Sequence, residues 1–297
     1  GNDPLKAYGK TTDLTAMGGA QYVHTFDKCF FMPSDLTAGL EYNRDRLKDN
    51  MWGYDRHTDQ TVNIYSAFLQ NEWKNDRWGI LIGGRLDKHN MVDNVIFSPR
   101  ANLRFNPTQN INLRLSYSSG FRAPQAFDED MHIENVGGTV AMIERAKNLK
   151  EEKSQSFSAS ADMYHRFGVF QTNFLIEGFY TRLTDVFVLG EPYDRGDGIL
   201  VKTRSNGPGA KVMGLTLEGK VAYLSILQIQ AGLTLQRSRY DEPHKWHDDA
   251  PAEKKIFRTP DTYGYFTATY TPIKPLSIAL SGTYTGRMLV QRMDITA

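Results

Sequence analysis

The stretch "NINLRLSYSSGFRAP", residues 110–124, alternates strictly: Ile111, Leu113, Leu115 and Tyr117 are apolar, and Asn112, Arg114, Ser116 and Ser118 between them are polar. A period of two places successive side chains on opposite faces of a β-strand. The apolar face must then be covered, either by protein core or by the hydrocarbon of a bilayer. The same alternation recurs along the chain, in Leu36, Ala38, Leu40 and Tyr42, in Trp78, Ile80, Ile82, Gly84 and Leu86, and in Phe157, Ala159, Ala161 and Met163. It returns in Met213, Leu215, Leu217, Val221 and Tyr223, in Leu227, Ile229, Ala231, Leu233 and Leu235, and in Leu276, Ile278, Leu280 and Tyr284. The opposite faces carry Arg85, Asp87, Arg114, Glu218, Lys220, Gln228, Gln230 and Gln236. The one ambiguous stretch is "GGTVAMIERAKN", which leaves room for a short helix inside a loop.

About twelve strands of roughly 9–19 residues emerge, long enough to cross a bilayer at a tilt and longer than the strands usual in soluble sandwiches. Their connections alternate in length. Tight ones fall at 74–76, 106–110, 165–168, near Leu224–Ser225 and at 271–275, with an intermediate one at 27–34. Long ones fall at 48–59, 89–97, 123–147, 190–198 and 241–255. An up-and-down meander puts successive connections at opposite ends, so one end has turns and the other has loops, as in outer-membrane barrels. The pattern predicts an all-β chain forming an antiparallel up-and-down transmembrane β-barrel. Its apolar face meets outer-membrane lipid, and its polar face lines a wide, wet or plugged interior. The alternative is a soluble extracellular β-sheet binding module, whose apolar faces would bury against each other.

A mean hydropathy of -0.49 fits a membrane barrel, because alternate positions hide the lipid face. No apolar run reaches the ~18–20 residues of a membrane helix. A net charge of +1 gives no electrostatic footprint for nucleic acid, and the single Cys29 forms no internal disulfide. The opening "GNDPLKAYG" has no basic start followed by an apolar stretch, and the chain reads as a part of something longer. Serine-hydrolase, zinc-protease and phosphate-loop motifs are absent, so the chain is not expected to be an enzyme or to carry a cofactor. A barrel hydrolase would need a base and an acid converging on Ser118 or Ser119, and no residue is marked out as that base.

The loops hold the candidate ligand-binding residues. Trp52 and Tyr54 offer aromatic contacts, or an aromatic girdle at the membrane interface. Asp128, Glu129, Asp130 and His132 cluster in the longest loop. Tyr193, Asp194 and Arg195 sit at another loop tip, where Arg195 and Tyr193 suit an anionic or aromatic chelate. His244, Trp246 and His247 lie together, and the two imidazoles are candidate metal ligands. Arg85, Asp87, Arg114, Arg122 and Glu218 are expected on the polar face, pairing with neighbours or touching whatever fills the interior.

"LSYSSGFRAPQAFDED" resembles the TonB-dependent outer-membrane receptors. "WGILIGGRLDKH", "SPRANLRFNPTQNINLRLSYSSGFRAP", "NLKEEKSQSFSASADMY", "GPGAKVMGLTLEG", "RTPDTYGYFTATYTP" and "LSGTYTGRM" resemble further strands of that family, in the same order. Lys150 replaces a usual proline and Leu215 a usual acidic residue. The resemblance implies a 22-stranded barrel with an N-terminal plug, residing in the bacterial cell outer membrane. It would import a scarce nutrient such as a ferric siderophore, haem or cobalamin, driven by the TonB complex through the plug. Residues 1–297 would then be a β-barrel domain fragment, a partial barrel of about twelve strands, with the N-terminal plug and the first and last strands missing. The long loops would be extracellular.

Overall fold

The computed structural model describes residues 9–52, 56–125, 134–136, 139–196, 199–245 and 251–290. Along the chain run β1 (Gly9–Cys29), β2 (Met32–Met51), β3 (Arg56–Lys74), β4 (Trp78–His89), β5 (Ile96–Thr108), β6 (Ile111–Arg122), β7 (Glu134–Val136), β8 (Thr139–Arg145) and β9 (Glu152–Phe167). There follow β10 (Phe170–Thr184), β11 (Phe187–Leu189), β12 (Tyr193–Asp194), β13 (Ile199–Asn206), β14 (Ala210–Tyr223), β15 (Leu227–His244), β16 (Glu253–Lys255), β17 (Thr262–Ile273) and β18 (Leu276–Thr285). The twelve long strands form one antiparallel sheet in the order β1-β2-β3-β4-β5-β6-β9-β10-β14-β15-β17-β18, with β16 beside β15. β1 and β18 are its two edges.

Register decides which residues share a face. Leu103 pairs with Leu115, Leu115 with Ala159, Ala159 with Gly178, Gly178 with Leu215 and Leu215 with Leu235. One residue along, Asn102, Ser116, Ser158, Phe179, Gly214 and Gln236 form the matching row on the other face. A slip of one residue in any pair would mix these rows. The structure keeps them apart across the whole sheet. Glycines opposite rings keep the rows close: a Cβ on Gly214 would stand 2.6 Å from the Phe179 ring, and one on Gly282 2.5 Å from that of Phe266.

The apolar face is bare. Leu115, Ile82 and Leu280 are 54, 57 and 61% exposed, with no second layer over them. This removes the main expectation of the soluble module, in which these side chains would pack together. Aromatic pairs border the apolar band at both ends. At the turn end Trp78 stacks on Phe105 at 4.2 Å, Phe170 meets Tyr223 at 5.0 Å and Phe31 stacks on Trp73 at 5.6 Å. The Trp73 indole also donates to the Cys29 carbonyl at 2.9 Å, a polar tip on an apolar body. At the loop end Tyr42 meets Tyr65 at 4.9 Å and Tyr117 meets Phe157 at 4.8 Å. Two aromatic rows flanking an apolar band are the interface girdles of a bilayer-spanning wall.

The connections sort as the sequence predicts except that the expected long loop at 48–59 is mostly strand, since β2 runs to Met51 and β3 starts at Arg56, leaving a connection of residues 52–55. The 27–34 connection shrinks to a two-residue turn at Phe30 and Phe31, with Phe30 at a φ of 60°. The "GGTVAMIERAKN" segment is corrected: it holds strand β8, with no helix. β8 pairs in parallel with β13, and β7, β11 and β12 complete a second, five-stranded sheet built from two loops. Thr139, Val140 and Ile143 are β-branched and favour a strand once a neighbour supplies the ladder.

This small sheet shows that the polar face is concave. At one side Val186 and Val188 pack on Ala210 and Tyr240, which lie on the polar face of β14 and β15. At the other side Arg145 of β8 donates to Gln60 Oε1 of β3 at 3.0 Å. Along the main sheet β3 and β15 are seven strand spacings apart, about 34 Å, whereas β11 and β8 are two spacings apart, about 10 Å. A strip that short reaches both sides only if the sheet curls with its polar face inside. The buried apolar side chains, including Leu47, Val62, Met142, Val188 and Val201, all lie at this capped end.

The bare face yields a prediction. Leu115→Arg, in the middle of the apolar band, should destabilise the protein by about 2–4 kcal/mol in lipid vesicles, whereas Ser116→Arg, next to it on the polar face, should cost under about 1 kcal/mol. Equilibrium unfolding of both variants in the same vesicles measures the difference, and equal costs would reject the assignment of faces.

Candidate functional site

The small sheet, the loop-end tips of β3 and β4 and the segment after β6 enclose a cavity of 620 Å³ on the polar side. Arg56, His57, Met91, Pro124, Glu144, Arg145, Lys147 and Arg195 line it. Among its described lining residues four guanidinium or ammonium groups stand with one carboxylate, so the cavity favours anions. Several of these groups are fixed by other contacts. Arg56 lies 3.8 Å from Asp49, itself 1% exposed and hydrogen-bonded at 2.7 Å by the Thr11 hydroxyl. His57 Nδ1 is 3.0 Å from Asn50 Oδ1. Arg145 bonds the Pro124 carbonyl as well as Gln60, both at 3.0 Å, and thereby pins the cap to two parts of the wall.

Beneath the cavity, His89 is completely buried at the end of β4, beyond the apolar band. Its Nδ1 accepts the Met91 N–H at 3.0 Å, so the proton is on Nε2, which faces Gln125 Oε1 at 3.3 Å. Burial holds this imidazole below its ordinary value, against weaker opposing contributions from Gln125 and Asp87. The ring is neutral at pH 7 and fastens the 90–95 loop to the segment after β6.

The polar-face residues are engaged structurally. The Arg85 guanidinium bridges Glu41 at 2.6 Å and Asp87 at 2.9 Å, and Asp87 also accepts the Ser66 hydroxyl at 2.6 Å. Arg114 donates to Asn112 at 2.7 Å and lies opposite Arg104. Glu218 stands between Leu175 and Gly232 on the same face. Arg122 ends β6 opposite Glu152, with its guanidinium 5.6 Å from the centre of the Phe187 ring in β11. Glu152 accepts the Phe187 N–H at 2.8 Å, so both residues seat the cap.

Among the loop candidates, Arg195 is brought to the cavity while Tyr193 and Asp194 are exposed in β12. The Asp194 carboxylate accepts the Gly196 N–H at 2.7 Å and so serves its own turn. Trp52 is half exposed just past β2. His244 ends β15 with its ring 5.9 Å from that of Tyr240. Tyr54, Asp128, Glu129, Asp130, His132, Trp246 and His247 lie outside the described residues. Among the described residues, no three His, Cys, Asp or Glu side chains converge as a metal site. Sequence reasoning missed Arg56, Arg145, Lys147 and His89, because they come together only when the second sheet folds over the first.

The family model described as TonB dependent receptor-like, beta-barrel matches residues 2–292. No curated protein sequence matches the chain. Among solved structures, the siderophore receptor PirA from Pseudomonas aeruginosa superposes with a TM-score of 0.72 at 17% identity, covering 94% of this chain and 50% of that one. The ferric-catecholate import receptor Fiu from E. coli K12 gives 0.67 at 12% identity, covering 94% and 45%. The FrpB iron transporter from Neisseria meningitidis gives 0.60 at 17%, covering 91% and 43%. The chain thus spans about half the length of these proteins, and at such identities the likeness shows a shared fold.

Two outcomes follow from the cap. Arg145→Met should lower the opening free energy of β8 and β13 by about 1.5 kcal/mol, read as faster amide exchange in 139–145 and 199–206 with unchanged exchange in β14. For His89, whose folded-state pKa burial holds below the ordinary imidazole value, the neutral ring's stabilisation is full above the unfolded value and lost as pH falls through the folded one. Protection of the Met91 amide, corrected for intrinsic exchange, should therefore drop on going from pH 7.5 to 5, and His89→Gln should abolish that dependence.

Proposed function

The chain belongs to the TonB-dependent receptor β-barrel family of the bacterial outer membrane, and from that membership we propose that it forms about half the wall and much of the mouth of a nutrient importer. In this reading the capped end is extracellular and the turn end periplasmic. Further strands beside β1 and β18 close the barrel, which satisfies edges that would otherwise expose a row of backbone groups to hydrocarbon. A plug fills the lumen against the Arg85, Arg114 and Glu218 face, and the TonB complex acts through that plug. The wall itself performs no covalent chemistry.

The cargo in this proposal is an anionic metal chelate. One observation carries it: the cavity at the mouth sets Arg56, Arg145, Lys147 and Arg195 against Glu144, the one carboxylate among its described lining residues. Guanidinium groups grip carboxylate and catecholate oxygens by charge-assisted hydrogen bonds, and 620 Å³ suits a ligand of several hundred daltons. The solved relatives named for siderophore and iron import agree with that class. A ferric siderophore fits it best, haem with its propionates fits it second, and cobalamin, which lacks a comparable anionic face, fits it least.

Lys147→Gln with Arg195→Gln, made in the full-length receptor, should weaken binding of an anionic ferric chelate roughly tenfold or more while leaving a neutral ferric chelate unaffected. Equilibrium binding to the purified receptor reads this out. Unchanged affinity for every anionic chelate that supports growth through this receptor would reject the cavity as the cargo site.

A further inference from the structure

The polar face of β5 and β6 carries three arginines whose charge the wall does not neutralise. Arg104 and Arg114 stand directly opposite each other, and Arg100, four residues up β5, stands opposite Ser118 on the same face. Like charges directly opposed in a sheet repel. Arg85 of the same face is neutralised by Glu41 and Asp87, at 2.6 and 2.9 Å. Arg100, Arg104 and Arg114 have no carboxylate within ion-pair distance among the described residues. Among the described residues of β4, β5 and β6, the inward positions below Asp87 hold no carboxylate, only side chains such as Leu81, Asn102 and Ser116 beside the arginines.

Neutral groups hold two of the three in place. The Arg104 guanidinium donates to the carbonyls of Asn75 and Trp78 at 3.0 and 3.3 Å. It lies over Gly79, where a Cβ would stand 3.1 Å from its Nε. Arg114 Nε donates to Asn112 Oδ1 at 2.7 Å, the Asn112 amide to Asn106 Oδ1 at 2.7 Å, and the Asn106 amide to the Asp76 carbonyl at 3.1 Å. Asp162, opposite Asn112 on β9, is engaged by the Tyr164 hydroxyl at 2.9 Å and by the Asn173 amide. Carbonyls and amides orient these guanidinium groups without cancelling their charge, and each guanidinium has five N–H donors, so donors remain for an outside oxyanion. Arg100 is exposed, and its guanidinium makes no hydrogen bond or ion pair among the described residues.

The three cations mark a line down the wall. Pro124 of the mouth cavity lies just past the end of β6 at Arg122. Ser118, opposite Arg100, is four residues below Arg122, and Arg114 is four residues below Ser118. Four residues of strand are about 13 Å, so uncancelled positive charge recurs at about that interval from the mouth to the turn end. Ion paths work through successive sites, each strong enough to admit the ion and weak enough to pass it on.

We propose that Arg100, followed by the Arg104–Arg114 pair, is a transit track for oxyanion groups. Carboxylate or catecholate oxygens of an anionic chelate leave the mouth cavity, meet Arg100 and then the lower pair as the filling of the lumen moves aside. The track rests on reading the chain as an importer of anionic chelates, and adds to that reading the side of the wall along which the cargo passes.

The test uses the full-length receptor in energised cells, with iron-labelled ferric tris-catecholate and ferric citrate as anionic probes, and the purified receptor for equilibrium binding. Arg100→Gln should lower the maximal uptake rate of the probes roughly tenfold, about the worth of one charge-assisted hydrogen bond, and leave equilibrium affinity unchanged. Arg100→Lys should recover most of the rate, and Arg100→Glu should lower it below that of the glutamine variant. Because Arg100 makes no polar side-chain contact among the described residues, the thermal midpoints of all three variants should match that of the native receptor. A fall in midpoint that tracks the loss of rate would make Arg100 a seat for the lumen filling and overturn the track. Native rates in the glutamine and glutamate variants would overturn it too, as would a loss of equilibrium affinity, which would make Arg100 part of the mouth. Those outcomes leave the cargo reading standing, whereas a native receptor that moves neither probe overturns both.

Discussion

Everything in this molecule depends on the ladder of backbone hydrogen bonds between the long strands. In hydrocarbon an unpaired N–H or C=O costs several kcal/mol, with no water to satisfy it. A wall that crosses a bilayer must therefore pair every strand, and pairing fixes register. Register in turn fixes the faces, because one residue of slip exchanges them. The rung from Leu103 to Leu235 and the rung from Asn102 to Gln236 stay on opposite sides through six strands. The bare leucines and the buried Asp87 network are two sides of that single constraint.

The hydrophobic effect, which organises soluble proteins, works here only at one end. The buried apolar side chains collect under the small sheet, where the wall emerges from lipid into water and a conventional core becomes favourable. That core gives the mouth a fixed shape. Arg145 ties the cap to β3 and Arg122 seats it on β6, and the neutral His89 fastens the 90–95 loop. The basic cavity is thus a product of two sheets meeting, one half-immersed in lipid and one not.

The outer surface carries an asymmetry of its own. Aromatic rows mark both interfaces, and the capped end adds a row of opposed cations, Arg182, Lys211, Arg239 and Lys255. Like charges opposed in a sheet repel, and Asp241 beside Arg182 and Asp261 beside Lys255 offset part of that repulsion.

The fold was legible from residue types because lipid-facing strands must repeat with a period of two and tight turns must alternate with loops. Arg85, Asp87, Arg114 and Glu218 were placed on the polar face by parity alone, and their register confirms that placement. The cap was not legible. "TVAMIER" carries three β-branched residues but no mark of a partner, and its partner, β13, lies over fifty residues away and runs parallel to it. Arg145 and Lys147 looked like ordinary loop charges for the same reason. Local periodicity is written into the chain one residue at a time, so the sequence by itself determined the strands, their faces and their membrane. Which loops meet, which cations share a cavity and which stand opposed on the outer wall depend on contacts between distant segments, and those only the tertiary structure decided.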